Sequence, residues 1–298
     1  MAIEAGAYLW AGWALSTRYQ VSPAIVVAGA LCTALSIRLL VVLRTFICAA
    51  RTTSEPLDER RLGAAGRLKL VLGEWLRWIT VFTLLQPFER LVNRRDAPAG
   101  TTGTPVLLVH GLLCNGAVWW SMKRALAKRG IINCYTLNLE PPLGDIDRYA
   151  EQLARRVEAI CAATGAPRLL LVAHSMGGLV SRAYIHKLGG ARRVASLVTL
   201  ASPHHGTSLA APPVSSNIRQ MQLGNPWLAA LNASESQAAQ VPIVSVYTAH
   251  DNLVSPQTSS VLEYAQNVRL AGMGHLAVLI SSQVADVIQD AVRKGAQE

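Results

Sequence analysis

Residues 169–178 read Leu-Leu-Leu-Val-Ala-His-Ser-Met-Gly-Gly, an apolar run that stops at Ser175 and resumes as a helical pattern. This layout is a strand, a sharp turn and a helix, with a serine at the apex. A hydroxyl displayed there needs a strained turn, and the residues two before and two after it must be small so that strand and helix can pass closely. Ala173 and Gly177 meet that requirement, with alanine standing where a Gly-x-Ser-x-Gly pattern has its first glycine. Taken alone, the ten residues also fit a serine that merely N-caps a helix behind a buried strand.

The chain around this turn decides between the two readings. From residue 105 onward, strand patterns at 106–109, 132–137, 168–173, 194–200, 241–247 and 267–271 are interleaved with helical patterns at 117–129, 146–163, behind Ser175, and at 276–292. Repeated βα units of this length predict a mostly parallel sheet with helices on both faces. In such sheets reactive groups sit beyond the carboxyl ends of the strands. His110-Gly111, Ser175, Asp251 and His275 each lie just past a strand. If the chain carries a triad in the order serine, acid, histidine, the acid must be Glu235, Asp251 or Glu263. Glu235 falls in a long insertion and Glu263 in a helical stretch. Asp251 occupies the loop directly after a strand, and His275 is the one histidine that follows it.

The excess of apolar residues, 51% of the chain, is concentrated near the N-terminus. Residues 21–37 hold no charge, and the apolar run resumes past Arg38 to about residue 43. A helix of about 20 such residues can cross a bilayer, and an arginine near its end can reach the headgroups. Residues 5–17, with Trp10 and Trp13, read as a partial second span or an interfacial helix. With no basic segment ahead of the apolar run, a retained anchor is preferred to a cleaved signal peptide. Arg38, Arg44, Arg51, Arg60, Arg61, Arg67 and Lys69 follow the span and would lie against anionic lipid, which accounts for part of the +10 net charge. The positive-inside rule would keep that side cytoplasmic, although a large folded domain can override it, so the side of the membrane stays open. No basic run is interleaved with aromatics, which excludes a nucleic-acid partner.

Residues 68–91 are apolar but carry charges at 69, 74, 77, 89 and 90. They predict an amphipathic helix, in the membrane interface or against the globular part, with Trp75 and Trp78 at the boundary. Residues 96–104 read as a linker. The resulting organisation is an anchor over 1–50, a basic and amphipathic segment with linker over 51–103, and a catalytic domain over 104–298.

Four motifs in this order carry a resemblance. His110-Gly111-Leu112, the elbow at 173–178, Ser202-Pro203-His204-His205-Gly206-Thr207, and Asp251 to Pro256 with Gly272-Met273-Gly274-His275-Leu276 resemble the α/β-hydrolase superfamily, within it the bacterial lipases and esterases. The likeness covers roughly 104–295. It implies an α/β-hydrolase fold with a cap or lid insertion at about 204–240; together with the N-terminal anchor, the expected setting is a bacterial inner membrane. It also implies Ser175 as nucleophile, His275 as base and then acid, Asp251 as the group orienting the imidazole, and the N–H groups of Leu112 and Met176 as the oxyanion hole.

The remaining candidates divide as follows. His110 shapes the loop after the first strand, His174 packs or hydrogen-bonds beside the serine, and His250 supports Asp251 from a neighbouring position. Adjacent His204 and His205 point apart and have no nearby acid or cysteine to complete a metal site, so their role is structural. No cofactor is expected, and no calcium site, since Asp251 is the one aspartate in its region. Cys32, Cys48, Cys114, Cys134 and Cys161 show no CxxC spacing; a single Cys114–Cys134 bridge remains open. In the insertion, Leu209, Met221, Leu223, Trp227 and Leu228 would line an acyl pocket or simply pack a cap. Either arrangement favours an apolar ester, with bilayer lipid as the partner. An acyltransferase using the same acyl-enzyme, or a catalytically idle tethered binding module, are the competing functions.

Overall fold

The computed structural model describes residues 2–53, 61–98, 100–235 and 241–295. Arg60 and the insertion residues 236–240 lie outside them.

Two helices come first. α1 (Ala2–Tyr19) and α2 (Pro23–Arg51) form an antiparallel pair, and a Cβ at Gly12 would come within 2.5 Å of Val26 Cγ1, so glycine allows their close approach. Ser22 caps α2 through its side chain to the Ile25 N–H, with Pro23 in the first turn. Most of α2 is exposed and apolar; Val42 and Ala49, near its C-terminal end, are buried. α3 (Ala64–Ile79) continues through a π-helical turn at Thr80–Leu85 and a 3₁₀ turn at Gln86–Phe88 into the short α4 (Glu89–Val92). The single amphipathic helix expected over 68–91 therefore changes register near Pro87, which has no N–H to continue the α-helical ladder. It lies against the globular part, where Trp78, Val81 and Phe82 join the core.

The sheet follows. β1 (Val106–Val109), α5 (Trp120–Ala127), β2 (Cys134–Thr136), α6 (Ile146–Thr164), β3 (Leu169–His174), α7 (Met176–Lys187) and β4 (Val194–Leu200) alternate. Two short helices, α8 (Ser216–Gln220) and α9 (Pro226–Glu235), lie in the insertion, ahead of β5 (Ile243–Thr248), β6 (Gln266–Leu270) and α10 (Ser282–Gly295). All pairings are parallel, in the order β2-β1-β3-β4-β5-β6. β1, β3 and β4 are buried throughout, as expected of strands covered on both faces.

Alternate strand residues divide between two cores. Leu107, Val109, Leu169, Leu171 and Ala173 pack with α6 and α7, while Val106, Leu108, Leu170 and Val172 pack with α5 and α10. α6 shows why its sequence is helical: Asp145 caps it through the Asp147 N–H at 2.8 Å. Ile146, Tyr149, Ala150, Leu153, Val157 and Ile160 make one buried stripe, and Gly165 ends it at φ 70°.

Several boundaries differ from the sequence reading. The helix expected at 276–292 begins as a 3₁₀ turn, Ala277–Ile280, and restarts after extended Ser281, whose hydroxyl takes the Val284 N–H at 3.4 Å. A 3₁₀ turn, Gly116–Trp119, likewise precedes α5. Glu263 lies in a turn rather than a helix.

Candidate active site

The loop between β3 and α7 places Ser175 at φ 55° and ψ −125°, a conformation a non-glycine residue adopts only when its surroundings impose it. The surroundings are tight. Ser175 N donates to Leu200 O at 2.8 Å, and a Cβ at Gly177 would lie 2.6 Å from Val109 O and 2.7 Å from His110 O. A Cβ at Gly111 would lie 2.9 Å from Ser175 Cβ, so the loop after β1 passes directly over the serine. Leu112 follows on that loop, and Met176 is the first residue of α7. Leu113 takes φ 55°, a second strained residue beside the serine.

Asp251 and His275 come from the loops after β5 and β6. His275 Nδ1 lies 3.0 and 3.1 Å from the two Asp251 carboxylate oxygens, and both side chains are buried. Asp251 Oδ1 also accepts the N–H groups of Leu253 and Val254, each at 2.8 Å, which fixes the carboxylate toward the ring. Burial opposes charging of His275, but the Asp251 charge and hydrogen bond outweigh it and raise its pKa above the ordinary value. With Nδ1–H given to the carboxylate, Nε2 is the nitrogen left to accept a proton. Among the described residues no hydrogen bond joins Ser175 to His275, though both line one cavity; such contacts tighten when substrate enters.

The other histidines are structural in their contacts. His110 Nδ1 donates to Gly111 O at 2.8 Å while Nε2 accepts the Leu139 N–H at 3.1 Å, and burial lowers its pKa to about 4. It is a neutral strut for the loop over Ser175. His174 packs on His275 with ring centroids 4.6 Å apart, and its Nε2 lies 3.2 Å from His275 O. Burial, followed by the neighbouring His275, holds its pKa well below the ordinary value. His204 sits between Arg182 and Thr199, each at 3.0 Å, and Asn232 of α9 bonds Arg182 and His204 O, tying the insertion to α7. His250 Nδ1 accepts the Gly272 N–H at 3.1 Å and joins the two loops that carry Asp251 and His275.

The cavity has a volume of about 430 Å³ and an almost wholly apolar lining. Leu209 and Met221, singled out from the sequence, are on its wall with Leu112 and Ile218. Leu223, Trp227 and Leu228 are not. Leu223 faces solvent, Leu228 is packed in the core on the α6–α7 side, and Trp227 donates from its indole to Asp147 Oδ2 at 2.8 Å. Helical spacing cannot tell a side chain that lines a cavity from one that packs the cap beneath it. The cavity also has walls that the sequence reading missed: Thr45 from α2, and Trp78 and Phe82 from the segment before the sheet. Their stretch reads in sequence as an amphipathic helix, in the membrane interface or against the globular part, and its docking on the sheet brings them to the cavity. Among the described residues no group of His, Cys, Asp and Glu could hold a metal ion, and the five cysteines are free, including Cys114 and Cys134.

Residues 104–220 match the alpha/beta hydrolase fold family. A triacylglycerol lipase of Pseudarthrobacter phenanthrenivorans is 35% identical over 117 residues, 37% of this chain and 36% of that protein. A triacylglycerol lipase of Burkholderia plantarii is also 35% identical over 117 residues, 37% of this chain and 32% of that protein. The chain thus spans about a third of the length of these curated relatives. Aspergillus fumigatus lipase B superposes with a TM-score of 0.58 at 20% identity, covering 66% of this chain and 55% of that one, a likeness of fold. Residues 104–220 thus match the alpha/beta hydrolase fold, and over part of its length the chain is similar to these lipases.

Proposed function

We propose that this α/β-hydrolase is a membrane-anchored serine hydrolase of carboxylic esters, lipase-like, acting on lipid or other apolar acyl esters. The observation that carries the reading is the buried His275–Asp251 pair, whose histidine lines the cavity that also holds Ser175.

In this mechanism Ser175 Oγ attacks the ester carbonyl as His275 Nε2 takes its proton, because a serine hydroxyl is a poor nucleophile until a base receives the proton. Asp251 holds the Nδ1–H and stabilises the imidazolium. The oxyanion forms against the N–H groups of Leu112 and Met176, a pair whose members are each worth about 10² to 10³ in rate. Collapse transfers the His275 proton to the departing alkoxide and leaves an acyl-Ser175. Water, deprotonated by His275, then releases the carboxylic acid and restores the serine. The apolar walls suit an acyl chain; they offer little to a peptide or a strongly anionic group.

Membrane anchoring is supported by α2, a helix of 29 residues with a mean hydropathy of 2.4 in its most apolar window, near the N-terminus. Ile25, Val27, Leu31 and Leu40 project from it without cover. At a rise of about 1.5 Å per residue, the stretch from Pro23 to Val42 is about 30 Å long, the thickness of a hydrocarbon core. Thr45 lies one turn further and lines the cavity, so in this reading the site opens near the bilayer surface. Arg44 and Arg51 lie at that same end, where anionic headgroups would be.

The test is turnover of p-nitrophenyl esters graded from acetyl to oleoyl by the full chain and by Ser175→Ala. The reading expects hydrolysis that grows with chain length and vanishes in the variant; equal rates for both would end it. Product analysis with a lipid alcohol present distinguishes transfer of the acyl group from hydrolysis.

A further inference from the structure

Two consecutive backbone N–H groups hold the loop that carries His275, and both acceptors are side chains. His275 N donates to Asn252 Oδ1 at 3.0 Å, and Leu276 N donates to Glu74 Oε1 at 2.7 Å. Glu74 belongs to α3, outside the sheet and outside the part of the chain that matches the hydrolase family. Its side chain is fully buried, and among the described residues its Oε2 has no hydrogen-bond partner. A Cβ at Gly274 would meet that oxygen at 2.6 Å, so the glycine lets the carboxyl lie against the backbone of the histidine loop.

A buried carboxyl with one unpartnered oxygen is costly, and a packing role would be served at lower cost by an apolar side chain. Holding this loop would be served by one well-placed acceptor. A carboxyl adds something else, a charge that can act on the imidazole. The groups that act on Glu74 are His275, Asp251 and, from its own helix, Arg77; those acting on His275 are Asp251, Glu74 and the neighbouring His174 ring. Burial is the largest influence on Glu74 and pushes its pKa up to about 7, so it changes charge in the range where a catalytic base must work.

We propose that Glu74 is a positioning residue for His275, fixing the loop through the Leu276 N–H and adding a second carboxyl beside the His275–Asp251 pair. The N-terminal segment is then part of the active site as well as an anchor. This inference rests on His275 acting as the base of the ester hydrolase proposed above.

The experiment uses the full chain in nanodiscs and compares wild type, Glu74→Gln and Glu74→Ala by kcat/KM against pH and by NMR titration of the His275 ring. Glutamine keeps an acceptor for Leu276 and removes the ionisable group. The acid limb of kcat/KM and the His275 titration are both expected to move to lower pH by about half a unit, because a carboxylate favouring the imidazolium is gone. Alanine also frees the Leu276 N–H and is expected to lower kcat about tenfold with KM within about twofold. An unmoved His275 titration in Glu74→Gln overturns the inference, whatever happens to kcat. Should the variants fail to fold, wild type decides: the ring titrates in two coupled steps if Glu74 acts on it, and a single step overturns the inference. Absence of turnover in wild type would sink the ester-hydrolase reading, while the ring titration would still settle the Glu74 contact.

Discussion

Thr45 of α2 accepts a hydrogen bond from the Asn252 side chain at 2.8 Å, and Asn252 is the residue whose Oδ1 holds His275 N. The apolar N-terminal helix is thereby two hydrogen bonds from the backbone of His275. Further along, Ser255 Oγ donates to Ala49 O at 3.0 Å, and Thr52 Oγ1 lies 2.8 Å from both Ser208 and Ser255. The last turns of α2 are fastened to the Asp251 loop and to the start of the insertion.

Replacing Thr45 with valine keeps the shape and removes the acceptor for the Asn252 amide. One such bond contributes about 1 kcal/mol, so kcat/KM on a soluble short-chain ester is expected to fall about fivefold, with folding retained. A variant with wild-type kinetics on that ester would show that the helix does not act on the histidine loop.

The walls of the cavity predict selectivity. Phe82→Ala removes part of the lining contributed by the segment before the sheet, and a lost apolar contact is worth about 1–3 kcal/mol to a substrate that reaches it. The ratio of kcat/KM for a long over a short acyl chain is expected to change at least about tenfold. Trp227→Ala, at a side chain that bonds Asp147 and takes no part in the cavity wall, is expected to leave that ratio alone. A ratio that follows Trp227 and ignores Phe82 would relocate the acyl site.

Two buried groups give opposite dependences of stability on pH. His110, with its pKa lowered to about 4, contributes stability that is complete above the ordinary histidine value of 6.5 and is lost as pH falls through 4. Glu74, raised from 4.5 to about 7, contributes stability that is complete below 4.5 and is lost as pH rises through 7. Each amounts to about 3 kcal/mol at the limit. Denaturant unfolding of Glu74→Gln should therefore gain on wild type as pH rises from 4.5 to 7. A constant difference across that range would contradict the buried ionisation.

The sequence made the sheet and the elbow legible because both depend on local rules. The apolar runs of β1, β3 and β4 are the signature of strands covered on two faces, and the small residues around Ser175 are imposed by backbone contact within one turn. The pairing of Asp251 with His275 was also within reach of the sequence, because chain order leaves few acids and one histidine beyond the later strands. The rest depends on contacts between distant segments. Glu74 on an apolar helix looks like a solvated charge until Leu276, some two hundred residues later, is seen to donate to it. Trp78 and Phe82 belong to a stretch that the sequence allows in the membrane interface or against the globular part, and their place in the cavity wall follows from the docking of that segment on the sheet. The insertion left pocket and cap packing open for a related reason: its apolar residues carry no local mark of the side they face, and Met221 lines the cavity while Trp227 bonds Asp147.

The most direct test of the central claim is covalent trapping of the nucleophile. The full chain in nanodiscs is treated with a fluorophosphonate, and the adduct is located by peptide mass spectrometry in wild type, Ser175→Ala, Asp251→Asn and His275→Ala. The account predicts stoichiometric modification of Ser175 in wild type, none in Ser175→Ala, and labelling slowed at least about a hundredfold in the other two, since each removes the means of activating the serine. A folded wild-type chain that remains unmodified at Ser175, or one labelled equally fast without His275, would contradict it.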